Sequence, residues 1–435
     1  MVKFLNTIFK KENIMANSQW NIIQSDINIL RELAKRVLDI AHDPINIGRR
    51  ELWYKHNSLQ KTRPLVLIES GLALNDLVPG SVIKCQEGWA KGLEGGFLRT
   101  IYHFENIDDD NVVEPYIGCG WHVGTSNYGV EAKMEWGNSG TELSSYRWEA
   151  PIKDLQKDFD KLHPRTFSVN RDATFEWKSH LEEVFDGIMP VRIRGGFWWT
   201  VGMTWPAISL IGLQNMMLYM YDDPEGLHRL MAFLRDDHIA YAEWLEKEGL
   251  LTLNNENDYI GSGSRGHCKE LPQPDWKEGD PVRLKDLWVL SESQETVGVG
   301  PELFEEFIFP YQLAVVEKFG LCYYGCCEPV HSRWNVLKKF PNLRSVSISP
   351  WCDEEFMARE LGCNYVYSRK PNPSYISTKL FDDEVIKADI RKTLKIAKDC
   401  NVEIVMKDVH TLSSEPLRMA RWVKLTREVI NEFDW

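Results

Sequence analysis

The chain has 435 residues, 43% of them hydrophobic and 26% charged, enough to bury a core several times larger than a minimal domain needs. Its 51 Lys and Arg stand against 64 Asp and Glu, and the formal net charge of -13 argues against nucleic-acid and anionic-membrane partners. The longest apolar stretches are interrupted, as 205–220 is by Pro206, Ser209, Gln214 and Asn215, so no transmembrane helix is expected.

The opening residues 1–14 lack the continuous apolar run and small-residue cleavage site of a secretory signal, and read as a ragged start before Met15. Residues 19–40 carry apolar side chains at helical spacing and predict a helix, and the apolar run 63–70 is a candidate strand. From 80 to 150 the pattern turns to short extended pieces rich in Gly and Trp, where no long helix is expected. Strand-like runs then recur at 189–193, 250–253, 287–290, 321–324, 343–348, 365–367 and 402–406, each followed by helix-period sequence. Helices are predicted over 224–248, 301–319 and 353–361 from Asp-Pro, Pro and Asp starts and from the Gly that follows the last two. With 63–70, or a weak strand elsewhere, the count would reach eight. The expected fold is therefore α/β, a (β/α)₈ TIM barrel over 186–435 that carries the active site, with residues 1–185 as a helical and extended segment packed on it. An open doubly wound sheet is the alternative, although no nucleotide fingerprint follows any strand.

Strand ends are where such a barrel keeps its chemistry. Cys326, Cys327 and Glu328 leave one strand and His410 leaves another, and these are ligand types for a tetrahedral zinc with one open position. Strict alternation would put Cys326 and Glu328 on one side and Cys327 on the other. Glu328, Glu256 and Glu292 are the candidate catalytic carboxylates. Arg194, Trp198, Trp199, Tyr259, His267, Gln294 and Tyr324 form the candidate substrate-binding set, an aromatic wall beside a guanidinium that suits a flat or carboxylated ligand. The Gly-Ser-rich stretch before His267 has the composition of a mobile lid. His331 reads as a surface or supporting residue. The nine cysteines are an odd number that includes an adjacent pair, which fits reduced thiols in a cytoplasm better than a disulfide framework. The 17 Trp are roughly three times average usage.

The segments 321–362, with its Tyr-Gly-Cys-Cys-Glu-Pro, 291–311 and 402–412 resemble the uroporphyrinogen decarboxylase superfamily. The resemblance covers roughly the last 250 residues and implies a (β/α)₈ barrel. The Arg-rich N-terminal motif of the decarboxylases is missing, and the His-x-Cys of the zinc methyltransferases is replaced by Tyr324-Gly325-Cys326. The branch most resembled is the methyltransferase component of anaerobic O-demethylase systems. It implies transfer of a methyl group from a small methoxylated, aromatic donor to a corrinoid carried by a partner protein, with zinc as Lewis acid and His410 as the late ligand. A cofactor-independent decarboxylase and a barrel that only binds a ligand remain the alternatives.

Overall fold

Short runs of aliphatic and aromatic residues, apolar on both faces, organise the fold because they are stable only where both faces are covered. The computed structural model describes residues 20–21, 23–69, 71–137 and 145–435. The strands that run parallel are numbered here in chain order: β1 Leu65–Ile68, β2 Ile117–Cys119, β3 Val191–Ile193, β4 Trp288–Ser291, β5 Leu321–Tyr324, β6 Leu343–Ile348, β7 Val366–Arg369 and β8 Asn401–Met406. Six of them form one parallel sheet in the order β1-β8-β7-β6-β5-β4, and β2 and β3 pair in parallel separately. Every residue of β1, β4, β5, β7 and β8 is buried, and helices follow most strands, which makes the chain a mixed α/β protein.

The register places Leu65 opposite Glu403 and Ile68 opposite Met406. The first 185 residues are thus more than a segment packed on the sheet, because they supply β1 and β2. Local chemistry sets the helix starts. Asp223 accepts the Gly226 N–H at the start of Pro224–Lys247, and Asp353 accepts the Phe356 N–H before Glu354–Leu361, which ends at Gly362.

Three expectations are corrected. The helix over 301–319 is broken into Pro301–Phe307 and Phe309–Val316, because Pro310 has no N–H and its ring disfavours a continuous helix through Ile308. A 19-residue helix, Gly88–Asn106, lies inside the region read as short extended pieces. Its four glycines weaken the periodic signal, and burial of Ala90 and Phe97 with Leu30, Ala34 and Val37 of the helix Gln24–Ala41 stabilises it instead. Residues 250–253 form no strand. There the Asn254 side chain accepts the Trp288 N–H at 2.9 Å and donates to the Trp288 carbonyl at 3.0 Å, while Thr252 Oγ1 accepts the Gly195 N–H at 2.8 Å. An amide side chain makes the paired bonds that a neighbouring strand would make.

The Gly-Ser stretch is not a lid. Ser262, Ser264, His267 and Cys268 are buried, and the segment lies against β4 and β5. Ser264 donates to Glu403, and the Asn57 amide donates to the carbonyls of Arg265 and His267. Gly263, at φ +91°, is needed here because a Cβ would come within 2.5 Å of Val405 Cγ1. Small residues therefore let this backbone enter the interior.

Candidate functional site

The turn after β5 decides the geometry of the thiols. Gly325 has φ +96°, which ends the strand alternation and brings both sulfurs to one side. Cys326 and Cys327 Sγ lie 3.6 Å apart, so the expectation that Cys327 points away is overturned. Lys407, the first residue after β8, reaches them. Its Nζ is 3.1 Å from Cys326 Sγ, 3.7 Å from Cys327 Sγ, 3.0 Å from Ser262 Oγ and 3.5 Å from the Asp408 carboxylate. Cys326 is buried and Cys327 half-buried. The hydrogen bond between the two thiols lowers the Cys327 pKa and raises that of Cys326, and Lys407 adds to the stabilisation of a thiolate. Burial opposes the Lys407 charge, but the two sulfurs, Asp408 and Tyr259 together hold its ammonium well above its ordinary value.

Behind the thiols lies a group of buried carboxyls. Glu328 accepts the Ser293 N–H and the Cys326 N–H, each at 2.9 Å, so both of its oxygens are engaged by backbone. Glu292 is buried; its Oε2 accepts the Gln294 N–H, and its Oε1 has no hydrogen-bond partner among the described residues. Burial, then Glu295 and Glu328, raises the Glu292 pKa well above its ordinary value, which favours the acid form. Glu295 is raised by burial, against the hydroxyl bond it accepts from Thr204 at 2.7 Å. The Gln294 side chain bonds to Glu295. Arg333, which composition did not single out, is buried and ties this turn together through Ser293 Oγ and the carbonyls of Thr296 and Val299.

The other candidate residues divide. Tyr259 is bonded to Trp199 and lies within electrostatic reach of Glu69, Lys407 and Cys326. Trp199 packs on the interior cluster that includes Ile260, Trp288 and Tyr323. Trp198 faces the other way, edge-on to Phe319 at 5.4 Å, so the two indoles do not form one wall. Tyr324 is buried, its hydroxyl bonded to Ser293 Oγ and Gln312 Oε1. Arg194 is held by Asp258 at 2.6 Å, and Glu256 by the Tyr116 hydroxyl at 3.1 Å and by Arg194 at 3.4 Å. These form a separate charged cluster. His267 is buried against Tyr54 with neither ring nitrogen hydrogen-bonded among the described residues. Burial, with Arg50 and Arg265, lowers its pKa to about 3, and it is a neutral interior residue. His331 accepts the Asp353 N–H at 3.2 Å, a supporting position as expected.

Near Lys407 a further set of polar residues lies buried in the interior. Lys370 bonds to Ser368, which bonds to the buried Glu403; Glu403 also accepts from Ser264 and lies 3.5 Å from His56 Nε2, and the Tyr323 hydroxyl donates to Ser368 at 2.9 Å. Lys370 and Lys407 immediately follow β7 and β8 in the structure.

The expected zinc set does not fit this arrangement. His410 is exposed, both Glu328 oxygens are engaged by backbone, and an ammonium stands beside the sulfurs. Among the described residues no group of three or more His, Cys, Asp or Glu side chains is placed to hold a metal ion. No described helix is long and apolar enough to cross a membrane. Comparison of the chain with models of known protein families and with curated proteins gives no match.

Proposed function

We propose that the chain is a methyltransferase that takes a methyl group from a small methoxylated aromatic donor and delivers it to a corrinoid on a partner protein. The eight parallel strands would close into a (β/α)₈ barrel with the thiols and Lys407 at its mouth and Glu292 buried behind them. Support for closure comes from the bridges at both gaps of the ladder: Asn254 and Thr252 between β3 and β4, and Asp110, whose N–H donates to the Val66 carbonyl at 2.7 Å, beside β1.

The observation that carries the reading is Glu292. A buried carboxyl with one oxygen unpartnered, near two other carboxyls, is a proton donor held ready. Loss of a methyl group from an aryl ether needs a proton on the departing oxygen, and Glu292 supplies it at Oε1. Lys407 and the thiols provide the opposite character, a cation beside soft nucleophiles. Trp199 and Tyr259, bonded to each other near Lys407, would offer faces for an aromatic ring. The corrinoid, when its carrier protein docks, supplies the methyl acceptor.

The test is an anaerobic assay with reduced corrinoid protein and a panel of aryl methyl ethers, following the corrinoid absorbance. Turnover with an aryl ether supports the proposal, and Glu292→Gln should reduce turnover by about 10²-fold or more with donor affinity little changed. Absence of transfer across the panel, or CO₂ release from a carboxylated substrate, would overturn it.

A further inference from the structure

The disagreement between the expected metal set and the residues at the mouth has a chemical meaning of its own. We infer that Cys327 is a nucleophilic thiol whose counter-cation is Lys407, not a divalent metal, and that its target is an alkyl carbon bearing a leaving group. The inference rests on the methyl-transfer reading for the identity of that carbon, and its test does not use the methyl donor or the corrinoid.

The sulfur separation of 3.6 Å would by itself suit two corners of a zinc tetrahedron, since zinc–sulfur bonds of about 2.3 Å set a similar edge. Lys407 decides between the two. Its Nζ lies 3.1 and 3.7 Å from the two sulfurs, and a metal bonded to both would face this ammonium, like charge against like charge. The lysine also donates to Ser262 Oγ at 3.0 Å. Ser262 in turn belongs to the buried glycine-flanked segment, so the ammonium has a fixed support. The remaining ligands are also directed elsewhere, with Glu328 against backbone N–H groups and His410 exposed.

Access separates the two cysteines. Cys326 is 1% exposed, and its N–H is taken by Glu328, whereas Cys327 is half-buried and opens toward the exposed Asp408. An approaching substrate meets Cys327, with Cys326 behind it as a hydrogen-bond partner. In the step, the Cys327 sulfur lone pair forms the S–C bond while the bond from carbon to its leaving group breaks, and the leaving group departs with the electron pair. With an aryl ether, that oxygen takes the Glu292 proton.

The experiment uses iodoacetamide, from which iodide leaves, on the full-length reduced protein under native conditions, with labelled cysteines located by peptide mass spectrometry. Cys327 is expected to be labelled fastest of the nine cysteines, at the same rate before and after treatment with a metal chelator. Lys407→Met should slow Cys327 labelling on the order of tenfold or more, while Lys407→Arg keeps most of the rate. If Lys407→Met does not fold, the chelator comparison and the zinc content of the purified wild type carry the test. One zinc per chain with Cys327 shielded until the metal is removed would overturn the inference, as would an unchanged rate in folded Lys407→Met. Failure of methyl transfer with rapid, lysine-dependent labelling would remove the donor assignment and leave the nucleophile standing.

Discussion

Lys370 gives a direct measure of how much charge the interior bears. Its ammonium is buried beside Ser368 and over the Tyr323 ring; Glu403 favours its charge and Lys407 opposes it. Burial dominates and lowers its pKa from 10.5 to about 8. Below pH 8 the folded and unfolded states both hold the proton, and the folded state carries the full cost of the buried charge. Between 8 and 10.5 the unfolded chain holds the proton that the folded chain has released, so stability rises with pH across that window. The lowering corresponds to roughly 3 kcal/mol. Lys370→Met removes the titration and keeps most of the stem volume, and subtracting its unfolding free energy from that of the wild type cancels the other groups. Urea unfolding followed by tryptophan fluorescence at a series of pH values should show the wild type gaining about 3 kcal/mol on the variant from pH 8 to 10.5. A difference that stays flat across this range would show that the ammonium is not penalised, and the account of a buried polar ladder from Lys407 to Glu403 would fail with it.

Gly263→Ala should destabilise the chain by about 2–4 kcal/mol in the same assay, because a Cβ there meets Val405 at 2.5 Å and the backbone is at φ +91°. A loss below about 1 kcal/mol would mean that the segment is less tightly inserted than described. Asn254→Ala removes both bonds to Trp288 and should cost about 1–3 kcal/mol, with faster hydrogen exchange of the Trp288 N–H as the local readout. Glu292 should show the infrared carbonyl stretch of a protonated carboxyl at neutral pH, and Glu292→Gln should remove that band while the unfolding midpoint changes little.

Much of the scaffold is legible from local pattern. The apolar runs that became β4 to β8 are short and buried on both faces, and the Asp and Pro residues before the helices act within a few residues of themselves, so their signals survive without tertiary context. The helix Gly88–Asn106 was hidden because its glycines blur the periodicity that its neighbours later stabilise. The chemistry is less legible. That the ends of β5 and β8 would carry reactive groups follows from the βα alternation, and Cys326, Cys327 and Glu328 are found there. Which residue of Lys407 to His410 reaches the thiols depends on where β8 ends, a matter of one hydrogen-bonded residue, and the strand ends at Met406. One left-handed glycine, Gly325, placed both sulfurs on the same side against the alternation rule. The same holds for the Gly-Ser segment, whose composition is that of a loop. Its burial rests on contacts with Tyr323, Val405 and Glu403, residues distant in sequence that only the folded chain brings together. Local propensity therefore determined the elements and the rim of candidate residues, while long-range packing decided which charges face one another, because that depends on register and on the cost of burying each polar group without a partner.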